Sequence, residues 1–207
     1  MYISGFFKEA DLDKVKNFMR QNDFVTLVCW DGEVPVASHV LVSLEDENGK
    51  LFVYGHVARA NSLWRNFENG KDVLLIFSGP DAYISARWYD HVNVPTWNYI
   101  AVHAYGKPSL IHDDVELHGI LARLVASHEP GTGYSLDGLP SEFVNKQMQA
   151  VIGFKVELTR LEASFKLSQN RNDDDYANVI SELEKRTDQN SRQVASAMRE
   201  QRATKPK

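Results

Sequence analysis

A single cysteine among 207 residues rules out an internal disulfide, so the chain must fold without covalent cross-links. Cys29 lies in the apolar run FVTLVCW and reads as a small buried hydrophobe rather than a reactive thiol. One cysteine and no signal-peptide pattern point to the cytoplasm. No apolar run approaches the roughly 20 residues of a membrane-spanning helix. Positive charge is also short, with 23 Lys and Arg against 28 Asp and Glu. Residues 1–170 carry 15 basic against 21 acidic groups, and residues 171–207 carry 8 against 7. An acidic body repels phosphates, so DNA is open as a partner but supported by neither charge nor motif. Only Arg199, Arg202, Lys205 and Lys207 make the extreme tail locally basic, and a solvated terminus accounts for them.

Catalytic motifs are equally scarce. The histidines, at positions 39, 56, 91, 103, 112, 118 and 128, include no i, i+4 pair with an intervening acid, so no metal site is expected. No nucleophile elbow appears, and GTGYSLDG lacks the lysine of a P-loop. A helix-turn-helix with a basic recognition helix is missing as well.

What remains is an ordinary globular composition, 43% hydrophobic and 25% charged. Leu12, Val15, Phe18 and Met19 share a helical face that Asp11 can cap. FVTLVCW, PVASHVLVSL and LFVYGH read as strands joined by the DGE and EDENGK turns. A helical segment is expected from about Asn61 to Phe67, ended by Asn69-Gly70. VLLIFS should stop at Gly79-Pro80, with AYIS and TWNYIAVHAYG as separate strands beyond it. Asp113 or Asp114 should start a second helix, and Ser141 should cap a third. VIGFKVELTRLEASFKL is a last long strand, and Asn172 followed by three aspartates opens a helical tail. Many strands joined by turns, with helices at both ends and in mid-chain, give an α+β fold with an antiparallel sheet. Closure into a small barrel would remove the sheet edges. The expected organisation is a barrel domain over 1–171 and a helical extension over 172–207.

Residues 79–106 hold six of the 22 aromatics. In TWNYIAVHAYG, alternation puts Trp97, Tyr99, Ala101, His103 and Tyr105 on one face. Rings with N–H and O–H groups suit a cofactor wall, a subunit interface or a core strand with satisfied polar tips. In GHVARANSLW, Arg59 stands just before a helix N-terminus, a ready anion site or a plain surface arginine. FKLSQNR gathers Lys166, Ser168, Gln169, Asn170 and Arg171 at a strand exit, where they could hold a phosphate or simply face solvent.

The blocks ASHVLV, GHVARANSLW, VLLIFSGPDAYISARWY, VPTWNYIAVHAYG and FKLSQNR resemble, in order, those of the PaiB family, as does the opening MYISGFFKEAD. The chain departs from the family pattern at Ala86-Arg87, where a proline is usual, and at ASHVLV, where the usual block is nearer ASHLPL. The resemblance implies an FMN-binding split barrel, mainly antiparallel with peripheral helices, that is a homodimer with flavin at the subunit interface and a negative transcriptional regulator. It places Arg59 on the FMN phosphate. Ser38 and His39 become candidates for the ring or ribityl chain, and His56 and Asn61 join the cofactor set. Lys166, Gln169 and Arg171 would complete the site, from the same or the partner subunit, and Trp97 would pack on the ring or at the interface. Alternatives are a flavin-dependent oxidoreductase and a haem-binding split barrel.

Overall fold

Asn-Gly at residues 48–49 is the pair that a tight hairpin turn requires, and both residues adopt positive φ, 54° and 80°. The computed structural model, which describes residues 1–203, builds a hairpin on that turn from β2 (Pro35–Glu47) and β3 (Lys50–Ala58). Ahead of it come α1 (Leu12–Gln21) and β1 (Phe24–Trp30). Asp11 caps α1 as expected, its carboxylate accepting the N–H groups of Asp13 and Lys14. Downstream lie β4 (Val73–Ile84), β5 (Thr96–Ile111), α2 (Asp114–His128), α3 (Ser141–Met148), β6 (Val151–Lys166), α4 (Asp173–Glu184) and α5 (Gln189–Ala203). The six strands close in a ring in the order β1-β2-β3-β6-β5-β4, so no strand is left with an open edge for chain-to-chain pairing. Lys205 and Lys207 lie outside the described residues.

Contacts divide the chain into two compact units, residues 16–77 with 103–161 and residues 1–15 with 78–102 and 162–207. β4, β5 and β6 each run from one unit into the other. In the first unit β1 pairs with β2 (Val25↔Val40), β2 with β3 (Leu44↔Val53) and β3 with β6 (Val53↔Val156). Val25, Leu27, Val53, Leu75, Phe77 and Phe154 are fully buried there. A cluster of Tyr54, Ile111, Leu117, Ile120, Leu124 and Met148 packs α2 and α3 on the strands. Gly106 has a steric reason: a Cβ there would stand 2.1 Å from the carbonyl oxygen of Glu157.

In the second unit α4 and α5 form an antiparallel pair whose stripes, Tyr176, Val179 and Leu183 against Val194, Ala195 and Met198, are buried. Tyr176 donates its hydroxyl to the Met198 carbonyl at 2.7 Å, and Arg199 grips Glu184 with two bonds of 2.8 and 2.9 Å. Asn172 caps α4 through the Asp175 N–H at 2.7 Å.

Two local expectations need correction. Gly79-Pro80 does not end a strand; β4 continues to Ile84. β1 pairs with only Leu74–Ile76 of β4, so Pro80 lies past that ladder and its missing N–H leaves no bond there unmade. Ser141 is the first residue of α3, and no side chain caps that helix; Pro140 precedes it with its φ already near the helical value.

Candidate functional site

The first unit gathers five of the nine proposed cofactor residues. Ser38 and His39 are consecutive on β2, opposite Leu27 and Thr26 of β1. Asn61 leaves β3 just after its end and does two jobs: its side-chain oxygen caps the following 3-10 turn at the Leu63 N–H (3.0 Å), and its amide donates to the Ser38 hydroxyl at 2.7 Å. Ser38 therefore accepts from Asn61 and keeps its own proton for a ligand. His39 Nδ1 lies 3.2 Å from the Thr26 hydroxyl, with the ring exposed.

Arg59 follows β3, its backbone N–H bonded to the Ala150 carbonyl at 2.8 Å. Its guanidinium donates to the carbonyls of Gln149 (2.6 Å) and Val151 (3.2 Å). No described carboxylate forms an ion pair with it. The guanidinium is thus held in place by neutral acceptors with no carboxylate at ion-pair distance, an arrangement suited to an anion. It lines a pocket of about 390 Å³ that also takes in His112, Asp114, Asn145 and Gln149.

His56, opposite Gly153 on β6, faces a different cavity, about 430 Å³ and walled by Leu41, Leu124, Val125 and Leu136. Its Nδ1 is buried with no hydrogen-bond partner, and burial lowers its pKa below the ordinary histidine value. His56 is a neutral ring in an apolar wall, separate from the Ser38–Asn61 pair.

The other four residues belong to the second unit. Trp97 is 48% exposed, donates its indole N–H to Asp81 at 3.0 Å, and meets Tyr83 edge-on at 6.0 Å. The burial of β5 resolves its two faces: Asn98, Ile100, Val102 and Ala104 are buried, while on the aromatic face Trp97 is exposed and Tyr99, His103 and Tyr105 are partly buried. At the end of β6, Lys166 donates to the Thr96 hydroxyl at 2.7 Å. Gln169 is committed to its own loop, receiving the Leu167 N–H at 2.8 Å and donating to the Phe165 carbonyl. Arg171 lies over the Tyr89 ring at 4.7 Å. Desolvation, then the charge of Arg171, lowers the Lys166 pKa, and no described carboxylate pairs with either cation. This is a second locus of unneutralised positive charge.

Sequence reasoning did not single out Asn98. It is fully buried and exchanges hydrogen bonds with the Ser168 hydroxyl at 3.0 and 3.2 Å, fixing the turn where Ser168 adopts φ +63°. A polar residue on the small, apolar face of an alternating strand was the available signal. His112 and Asn145 carried none, because only the fold brings them to Arg59.

The ring of six antiparallel strands with flanking helices is the split barrel of flavin-binding proteins. The flavocytochrome Anf3 of Azotobacter vinelandii shares it at 20% identity, over 85% of this chain and 78% of that one, with a TM-score of 0.66. So does the FAD and heme binding protein of Mycobacterium smegmatis, at 16% identity over 82% and 78%, with a TM-score of 0.63. A family model described as "Putative FMN-binding domain" matches residues 1–160. The protease synthase and sporulation protein PAI 2 of Bacillus subtilis (strain 168) is 38% identical over 200 residues, 96% of each chain. The chain belongs to this FMN-binding family and is PaiB-like. Among the described residues no helix is long and apolar enough to cross a membrane.

Proposed function

We propose that the protein binds FMN and acts as a homodimeric regulator of gene expression that responds to flavin occupancy or redox state. The observation that carries the cofactor is the Arg59 guanidinium, held by the Gln149 and Val151 carbonyls and without a carboxylate partner. A phosphate monoester is the anion this geometry fits, because a planar fork of N–H donors matches its oxygens. Asn61 and Ser38 would serve the polar chain of the cofactor with one hydroxyl proton to donate, and His39 with its exposed ring. FMN, when bound, supplies redox chemistry.

Lys166 and Arg171, in the other unit, are a candidate anion locus in their own right, and Gln169 shapes that loop. The outward Trp97 and Tyr83, 48% and 42% exposed, support an aromatic contact with a second subunit. The regulatory half follows the Bacillus subtilis relative, whose name links it to protease synthesis and sporulation. An acidic body favours regulation without direct DNA contact.

The test is the visible spectrum of freshly purified protein, followed by an FMN titration. A flavin spectrum, or reconstitution at one FMN per chain, supports the reading. A colourless protein that takes up no FMN refutes it, and a Soret band without flavin would put haem in its place.

A further inference from the structure

The loop after β4 and the first turn of α4, both in the second unit, bring together three side chains that the cofactor reading does not use. We propose that Asp90, His91 and Asp175 form a binding site for a divalent transition-metal ion of the manganese-to-zinc series. Their ligand atoms all lie within 4.8 Å of one another. His91 Nδ1 stands 2.7 Å from Asp90 Oδ1 and 3.3 Å from Asp175 Oδ2. Neighbouring ligands of one ion with bonds of about 2.0–2.2 Å are separated by about 3.0–3.4 Å, so small adjustments would admit the ion.

Asp175 supplies the independent observation. It is 0% exposed, a costly place for a carboxylate unless both oxygens are satisfied. Oδ1 accepts the backbone N–H of Asp90 at 3.0 Å. Oδ2 is buried with no hydrogen-bond partner, and its contact with His91 is an ion-pair distance only. A buried, unsatisfied carboxylate oxygen turned toward an imidazole and a second carboxylate is what a dication would complete. The side chains of Asp90 and His91 are half exposed, which leaves a route for the ion and room for water as further ligands.

The donor set names the class. Two carboxylates and an imidazole, with no thiolate, select borderline divalent ions over soft monovalent copper. Their two negative charges match the ion's. Without metal, Asn93 donates its amide to His91 Nε2 at 3.1 Å, which places the ring proton on Nδ1. Binding uses the Nδ1 lone pair, so the ring's single proton passes to Nε2 and the step releases no net proton. The ring then carries its proton on Nε2, and the Asn93 amide turns over so that its oxygen accepts it, the usual outer partner of a ligating histidine. The bound ion would tie the loop after Trp88 to the start of α4.

The untagged full-length chain, stripped with chelator, is titrated with Co²⁺ while its visible d–d absorption is recorded, and with Zn²⁺ by calorimetry. One ion per chain is expected, with slower amide exchange in residues 89–95. His91→Gln and Asp175→Asn should each weaken Co²⁺ binding more than about tenfold, and Asn93→Ala by about tenfold. His91 lies on an exposed loop, so its variant stays informative if Asp175→Asn fails to fold. No Co²⁺ band at millimolar metal, or binding unchanged in His91→Gln, overturns the site. Flavin content plays no part in any of these readouts.

Discussion

Replacing Arg59 with alanine separates the phosphate from the rest of a flavin. The guanidinium is exposed and its hydrogen bonds go to the Gln149 and Val151 carbonyls, both groups that water can satisfy, so the fold should lose little. Against a phosphate, hydrogen bonds to charged partners contribute about 1.5–3 kcal/mol. Exposure argues for the lower end, and about 1.4 kcal/mol corresponds to a tenfold change in affinity. FMN binding, followed by flavin fluorescence quenching, should therefore weaken roughly tenfold in Arg59→Ala. Riboflavin, which lacks the phosphate, should bind both proteins alike. Arg59→Lys should recover only part of the loss, because an ammonium cannot present a fork. Equal weakening for FMN and riboflavin would place Arg59 elsewhere on the cofactor. No weakening for either, combined with FMN-selective loss in Lys166→Ala and Arg171→Ala, would move the phosphate to the second unit and refute the reasoning.

Gly106→Ala puts a Cβ 2.1 Å from the Glu157 oxygen, whereas Gly5 has nothing within 4 Å; the first variant should be insoluble and Gly5→Ala should melt like the wild type. Asn98→Ala strands the buried Ser168 hydroxyl and should cost about 2–3 kcal/mol, read as a fall of several degrees in thermal melts; an unchanged melt would show that the turn does not need the amide. The folded-state pKa of His56 lies below 6.5. As pH falls below 6.5 the unfolded chain takes up a proton that the native ring resists, so stability declines toward acid. His56→Leu should flatten that decline in urea midpoints compared between neutral and mildly acidic pH, and an equally steep decline would exonerate His56. In gel shifts at moderate salt, micromolar protein should leave promoter DNA unshifted, and a salt-sensitive shift would contradict the charge argument.

Much of the fold was legible because local signals and tertiary structure agreed. Asn48-Gly49 marked the hairpin, Asp11, Asp113 and Asn172 cap the helices they preceded, and alternation in β5 described both of its faces. Where reading failed, the deciding partner was remote. Pro80 looked like a stop because its own residue lacks a donor, but it lies past the part of β4 that β1 reaches. Ser141 is a good capping residue by type, yet Pro140 had already set the backbone for α3.

The site divides along the same line. Arg59 could be nominated from sequence because the feature that makes it a candidate, a strand end followed by a helical turn, is local. Lys166 and Arg171 were nominated from the same kind of signal, but their physical case is tertiary. A lysine that is desolvated and also faces an arginine stays charged only against opposition, which is why its pKa falls. Nothing acidic among the described residues relieves it. Surface lysines avoid that arrangement by turning outward, and Lys166 instead reaches the Thr96 hydroxyl. An anion beside the pair would raise the Lys166 pKa again, so anion binding and proton uptake must be linked there. Titrating the Lys166 ammonium by NMR with and without inorganic phosphate reads that linkage directly. A pKa that phosphate leaves unmoved would mean that the pair carries its repulsion for the sake of the turn at Ser168 alone.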